Sequence, residues 1–251
     1  MFKRQTSRVV KAYWWSGRKN FGDAMAPLLI EHFTSHRAEW ERVGKSDVVS
    51  VGSVLEHLPP LYDGFVVGTG RLYPDSKVSL YGGSQRVLAL RGPLTARAWP
   101  HDVAIGDPGL LANELVGPQT RTTDLGIVPH WSDSTLAQDS RFFSLRWTTK
   151  VIDPAGDPLK VIAAIGQCKK IVSSSLHGII VADAFGIPRR FEYTPRFNHE
   201  GGRFKFEDYS AGIGSKLSVG ETTLANHRIV GNRKHELWDV YRSLDTLLRA
   251  L

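Results

Sequence analysis

Short apolar runs alternate with stretches of helical periodicity along most of the chain. Val9–Trp15 is rich in β-forming residues and ends at the turn signal Ser16-Gly17. Ala24–His36 then places Met25, Leu28, Leu29, His32 and Phe33 at helical spacing, with Asp23 positioned as its cap and Pro27 tolerable in its first turn. Further strands are expected at Asp47–Val51, Phe65–Gly68, Val87–Leu90 and Val103–Ile105. Asp107-Pro108-Gly109 opens a short helix over Leu110–Leu115. Gly117–Thr123 is polar and reads as a linker. A second series follows it, with strands at Leu125–Val128, Lys150–Ile152, Lys170–Val172 and Arg190–Tyr193 and helices at Asp157–Cys168 and Leu176–Phe185. From His235 onward, Leu237, Trp238, Tyr241, Leu244, Leu248 and Leu251 make one apolar stripe.

Near-continuous apolar strands that run into glycine-bearing loops indicate parallel sheets covered on both faces, which gather ligands at their carboxyl ends. The expected class is therefore α/β. Two Rossmann-like halves, residues 1–116 and 124–234, are followed by a C-terminal helix over 235–251 packing across them. No long segment recurs, so the halves are not a strict sequence repeat.

Composition narrows the function classes. The 251 residues are 41% hydrophobic and 23% charged, as in globular chains and unlike disordered ones. Cys168 is the only cysteine, which excludes an intramolecular disulfide and a cysteine zinc site; at the end of an apolar helical run it reads as a buried, inert thiol. No leader-like apolar segment and no run of about 20 apolar residues stands out, so a cytoplasmic protein is expected, with peripheral contact at the inner face of a membrane left open. The net charge of +7 suits nucleic acid, an anionic surface or a small anionic substrate. Its basic residues are scattered and form no tract, which argues against nucleic acid. No HExxH pair supports a metal site, and neither a GxSxG elbow nor a GxxxxGK[ST] phosphate loop is present.

The candidate chemistry lies at strand ends. Val172-Ser173-Ser174-Ser175-Leu176-His177-Gly178 runs from a buried strand into a helix start, where backbone N–H groups and the helix dipole attract anions. His177 there could hold a phosphate or donate a proton; equally, it could cap its own helix. Asn20-Phe21-Gly22-Asp23 is a second anion-friendly turn, or simply a set of turn formers. Arg91 follows an apolar strand and carries a planar fork suited to carboxylate or phosphate, with a structural ion pair as the alternative. His130 ends the strand that opens the second half, and Asp107 ends another. Arg189–Tyr209 is the densest basic and aromatic stretch, able to ring an anionic ligand or to form a solvated loop face.

Taken together, these stretches resemble the polysaccharide pyruvyl transferase family, in particular short bacterial members that add pyruvate ketals to exopolysaccharides. The matching text is Asn20-Phe21-Gly22-Asp23, Gly52-Ser53-Val54-Leu55, Val67-Gly68-Thr69-Gly70, Leu90-Arg91-Gly92-Pro93-Leu94-Thr95, Gly106-Asp107-Pro108, Val128-Pro129-His130-Trp131, Leu176-His177-Gly178 with Ala182-Asp183-Ala184, and Lys205-Phe206-Glu207-Asp208. These motifs occur in the family's order over roughly residues 9–213. The resemblance implies a fold like that of two-domain GT-B glycosyltransferases, phosphoenolpyruvate as donor, a sugar or lipid-linked oligosaccharide as acceptor, and no metal or organic cofactor. The family's arginine falls on Arg91 and its histidine on His177. Family members carrying arginine two places before that histidine correspond here to Ser175, which leaves Arg189, Arg190 or Lys205 to supply the charge. The implied roles are His177 as acid and Asp107, Asp23 or His130 as base. Donor binding would fall to Arg91, Asn20, Gly22, Ser173, Ser174, Ser175, Gly178, Lys205 and Arg190. A nucleotide-sugar glycosyltransferase and a non-catalytic carbohydrate-binding protein are the alternatives.

Overall fold

A computed structural model describes residues 8–76, 86–97, 99–194 and 202–251. The first half forms a six-stranded parallel sheet from β1 (Val9–Tyr13), β2 (Arg37–Trp40), β3 (Val48–Val49), β4 (Phe65–Val67), β5 (Val87–Leu90) and β6 (Ala104–Ile105), in the order β2-β1-β3-β4-β5-β6. The second half forms a five-stranded sheet, β11-β10-β9-β7-β8, from β7 (Thr123–Val128), β8 (Thr149–Val151), β9 (Cys168–Ser173), β10 (Arg189–Phe191) and β11 (Thr222–Thr223). Only the β10–β11 pairing in it is antiparallel. The two parallel-rich sheets and the long terminal helix make this an α/β protein, as the alternation of apolar runs and helical stretches indicates.

The helices are α1 (Phe21–Phe33), α2 (Pro93–Ala96), α3 (Ala112–Val116), α4 (Pro158–Gly166), α5 (Leu176–Ala184), α6 (Phe204–Gly212) and α7 (His227–Arg249). A 3₁₀ turn at Pro108–Leu111 leads into α3. Within α7, Leu237, Tyr241 and Leu244 are fully buried. Burying side chains of this size contributes roughly 1.5–3 kcal/mol each. The helix packs on α1, β5, β6 and the 3₁₀ turn of the first half, while Lys234 Nζ donates to Ala184 O of α5 at 2.7 Å. It therefore touches both halves. Buried apolar residues from both halves share one large cluster, in which Met25, Leu110, Ile180 and Leu237 all take part, beside a smaller cluster in each half. Among the described residues no helix is long and apolar enough to cross a membrane.

Several elements differ from the sequence reading. Asn20, not Asp23, caps α1: its Oδ1 accepts from the Gly22 N–H at 3.2 Å and its Nδ2 donates to Asp23 Oδ2 at 2.6 Å. Cys168 opens β9 instead of closing α4, and its buried thiol donates to Ala164 O at 3.2 Å. Burial pushes that thiol up to about 11, so it stays protonated. The terminal helix starts at His227, capped by Asn226, because its first turns are polar and only Val230 of them is buried. Strand β2 has no apolar run, since it lies at a sheet edge with three of its four residues exposed. The described part of Arg189–Tyr209 is not a loop face: it supplies β10 and the start of α6.

Candidate active site

The carboxyl ends of both sheets face one cleft of about 260 Å³, lined by Trp15, Asp23, Ser53, His57, His130, Trp131 and Lys205 among others. Trp15 follows β1, Ser53 and His57 follow β3, and His130 and Trp131 follow β7. Asp23 stands in the first turn of α1 and Lys205 in that of α6. The strand–loop–helix alternation thus delivers chemistry-bearing residues from five separate segments to one place, as parallel sheets do.

Two helix starts meet behind the cleft. His177 is the second residue of α5 and Gly22 the second residue of α1. A Cβ on Gly22 would overlap the His177 imidazole, so no other residue type fits there without a shift. Phe21 meets the same ring edge-on at 6.4 Å, and the Phe21 N–H donates across the halves to Pro154 O at 2.8 Å. The positive ends of two helix dipoles therefore converge here and favour an anion.

The electrostatics point the same way. Burial, with Lys205, Arg91 and His130 adding to it, drives His177 down to about 3. Burial and Lys205 take His130 down to about 4. Both shifts favour the neutral ring near pH 7. Asp23 moves in the opposite direction, up to about 7, because burial outweighs its bond from Asn20 and the attraction of Lys205, and Asp107 adds repulsion. Asp107 is raised to about 6, chiefly by burial. Its Oδ1 accepts from the Gly109 N–H at 2.8 Å. Asp107 Oδ2 and His177 Nε2 are both buried with no hydrogen-bond partner among the described residues. A buried polar atom without a partner is costly and marks a site that something else completes.

The structure sorts the sequence candidates. Asp23, His130 and Lys205 line the cleft, while His177, Asp107, Asn20 and Gly22 stand directly behind it. Arg91 is in the wall, not the opening. Its side chain is wholly buried, with Nε donating to Asp208 Oδ2 at 3.0 Å, one terminal nitrogen to Ser53 Oγ at 2.6 Å and the other to Arg71 O at 2.6 Å. Asp208 also accepts from the Thr95 N–H at 2.8 Å and from the Thr95 hydroxyl at 2.7 Å, fastening α6 to α2.

The serines hold the loop. Ser173 Oγ lies 2.8 and 2.9 Å from the carbonyls of Val128 and Ser175 and accepts from the Ser175 N–H. Ser174 Oγ accepts from the His130 N–H at 2.8 Å, joining the two histidine-bearing loops. Ser175 occupies the N-cap position of α5 without a side-chain cap bond. A Cβ on Gly178 would overlap Ser173 Oγ, so this glycine serves helix–strand packing. Arg190 pairs with Glu192 and lies over Phe142 at 5.6 Å, away from the cleft. Arg189 is paired with Asp183 at 2.9 Å, and Asp183 also accepts from Tyr209 at 2.9 Å. Of the three basic residues that could stand in for an arginine at position 175, only Lys205 lines the cleft. No group of three or more His, Cys, Asp or Glu is arranged to hold a metal ion among the described residues.

Sequence reasoning did not single out Trp15, Ser53 or His57 as cleft residues. Ser53 follows a strand-end glycine, the signal used elsewhere, whereas nothing local marks Trp15 or His57. Tyr13 OH lies 2.7 Å from His57 Nδ1, a contact between residues 44 positions apart that no local pattern encodes.

A family model described as polysaccharide pyruvyl transferase matches residues 88–191, which hold Arg91, Asp107, His130 and His177. The chain is 30% identical over 208 residues to the succinoglycan biosynthesis protein ExoV of Rhizobium meliloti (strain 1021), covering 80% of this chain and 64% of that protein. It is 28% identical over 202 residues to an uncharacterized protein of Acanthamoeba polyphaga mimivirus, covering 68% of this chain and 69% of the relative. The chain thus spans about two thirds of the length of each. A crystal structure of a functionally uncharacterized protein from Klebsiella pneumoniae subsp. pneumoniae NTUH-K2044 overlaps 76% of this chain and 85% of its own at 12% identity, with a TM-score of 0.41. The family-model match over residues 88–191 and the 30% identity to ExoV thus relate the chain to the polysaccharide pyruvyl transferase family.

Proposed function

We propose that the protein transfers the pyruvyl group of phosphoenolpyruvate to two hydroxyls of one sugar in an exopolysaccharide repeat unit, releasing phosphate. The reading is supported most by one observation: His130 and Lys205 line a cleft, and behind it, where two helix starts converge, the buried His177 Nε2 has no hydrogen-bond partner among the described residues. Phosphoenolpyruvate, with a phosphate and a carboxylate on three carbons, matches a small cationic cleft. A lipid-linked oligosaccharide carried at the inner face of a membrane is the acceptor class this reading implies.

The residues divide the work. Lys205 binds the phosphate or carboxylate directly, and the neutral His130 donates to it through its ring. Burial is the main cause that lowers His177 and Lys205 adds to it; arriving negative charge offsets the Lys205 repulsion and attracts a proton to this histidine. His177 then gives that proton to C3 as a sugar hydroxyl attacks C2, turning the methylene into a methyl group. Asp23, poised near 7 and facing the cleft, takes the hydroxyl's proton. Phosphate departs from C2 with its bridging oxygen, an oxocarbenium-like centre forms, and the second hydroxyl of the same sugar closes the ketal, passing its proton to the departing phosphate. Asp107 raises the proton affinity of Asp23 by repulsion, and Arg91 acts through Ser53, which it holds at the cleft wall. Preorganised dipoles at the departing charge supply most of the stabilisation in such a scheme.

Incubation with phosphoenolpyruvate and an exopolysaccharide-derived oligosaccharide tests the reading. Phosphate release together with a new ketal methyl resonance is the expected result. Turnover of a nucleotide sugar with neither signal would replace it with the glycosyltransferase alternative.

A further inference from the structure

One wall of the cleft is unused by the donor chemistry. Trp15 and Trp131 line it, one from each half, with ring centroids 5.3 Å apart and planes inclined at 42°. Both are only half-buried. Their rings are fixed from behind. A Cβ on Gly17 would lie 3.0–3.1 Å from three indole atoms of Trp15, so that ring rests on a backbone the missing side chain leaves flat. The His130 ring tilts against Trp131 at 5.4 Å and Arg18 lies over it at 6.0 Å. The Trp131 loop is itself closed by a bridge between His130 and Asp133, whose Oδ1 accepts from the Thr135 N–H at 3.0 Å.

We infer that Trp15 and Trp131 form the acceptor platform, on which one pyranose ring of a neutral hexose lies by its apolar C–H face with its hydroxyls turned toward Asp23. The inference rests on the pyruvyl-transfer reading and adds the subsite for its second substrate. A pyranose has one face of axial C–H bonds and a rim of hydroxyls, and an indole offers an apolar face that engages such C–H groups. A cleft that is cationic on one side and aromatic on the other sorts a small anion from a sugar ring without further pockets. At about 260 Å³ it is near the lower end for ligand sites, which leaves room for the donor and one ring while the rest of the glycan stays outside. Because each half supplies one indole, the platform exists only when both halves are in place, tying acceptor binding to an assembled donor site.

Saturation-transfer NMR on the intact protein tests this with methyl β-D-glucopyranoside and methyl β-D-galactopyranoside as probes and the acyclic polyol mannitol as control. Transfer to the axial ring protons of at least one glycoside, and none to mannitol, is expected. Trp131→Ala and Trp15→Ala should each weaken that binding about 3–10-fold, while Trp131→Phe retains it. Circular dichroism on each variant checks that it folds, and the Phe variant gives the answer if the Ala variants do not. No transfer to either glycoside, equal transfer to mannitol, or unchanged binding in folded Trp15→Ala and Trp131→Ala proteins would overturn the platform. Calorimetry with phosphoenolpyruvate on the same samples separates the two ideas. Donor binding without a sugar signal removes the platform alone, and a sugar signal without donor binding strikes the functional reading instead.

Discussion

Arg91 and Lys205 are both cations from family motifs, and the fold uses them in opposite ways. Arg91 is wholly buried, and each of its three nitrogens has a partner in Asp208, Ser53 or Arg71. Lys205, only half-buried, lines a cleft whose buried histidines it helps to keep neutral, burial being the larger cause. The difference teaches that a charge at a strand end is informative about function only once its partners are known. A satisfied charge holds the walls together; the charge that acts is the one whose neighbours are left electrostatically strained.

The largest effect should come from breaking the satisfied region. Asp208→Ala leaves the Arg91 guanidinium buried without its carboxylate, which costs about 3–5 kcal/mol, and denaturant unfolding should show it. Lys205→Met should leave the unfolding midpoint close to native and abolish donor binding. If both variants behaved alike, the contrast between wall and cleft would be lost.

A smaller effect sharpens the cleft side through pH. Asp23 holds its proton up to about 7 in the native state, against the ordinary 3.8 when unfolded. Between those values the native state binds more protons, so its stability falls as pH rises, by up to ~1.4 kcal/mol per unit. Asp107, raised to about 6, acts in the same direction. His177 and His130, lowered to about 3 and about 4, act oppositely below their ordinary value of 6.5. Comparing native protein with Asp23→Asn isolates the carboxylate. The variant should gain relative stability steadily from pH 4 to 7, followed by thermal unfolding.

The smallest effect is expected at Arg190. Partly exposed and paired with Glu192, it should contribute only about 0–1 kcal/mol. Arg190→Ala should leave the affinity for phosphoenolpyruvate unchanged in calorimetry, whereas a marked loss would move the anion site toward β10.

Much of the fold was legible because apolar strands flanked by glycine announce a parallel sheet; Val87–Leu90 forms β5 with the bounds expected of it. Elements without an apolar signal were not legible. Edge strand β2 is polar, and the first turns of α7 bury only Val230. Helix α6 lay hidden in a segment that reads as charged loop. At the site, position at strand ends marked Asp23, His130 and His177 as candidates and the family resemblance added Lys205, and the structure brings Asp23, His130 and Lys205 to the cleft with His177 behind it. It could not show that Arg91 is consumed, because Asp208 lies 117 positions away. Nor could it show that Gly22 is shaped to His177, since that fit exists only between two helices from different halves.

Titration calorimetry with phosphoenolpyruvate at pH 7.5, repeated in two buffers of different ionisation enthalpy, tests the central claim most directly. A donor anion seated beside Asp23, His130 and His177 raises the proton affinity of all three. The account predicts binding with net proton uptake, lost in Lys205→Met. Binding with no proton uptake, or binding undiminished in that variant, would contradict it.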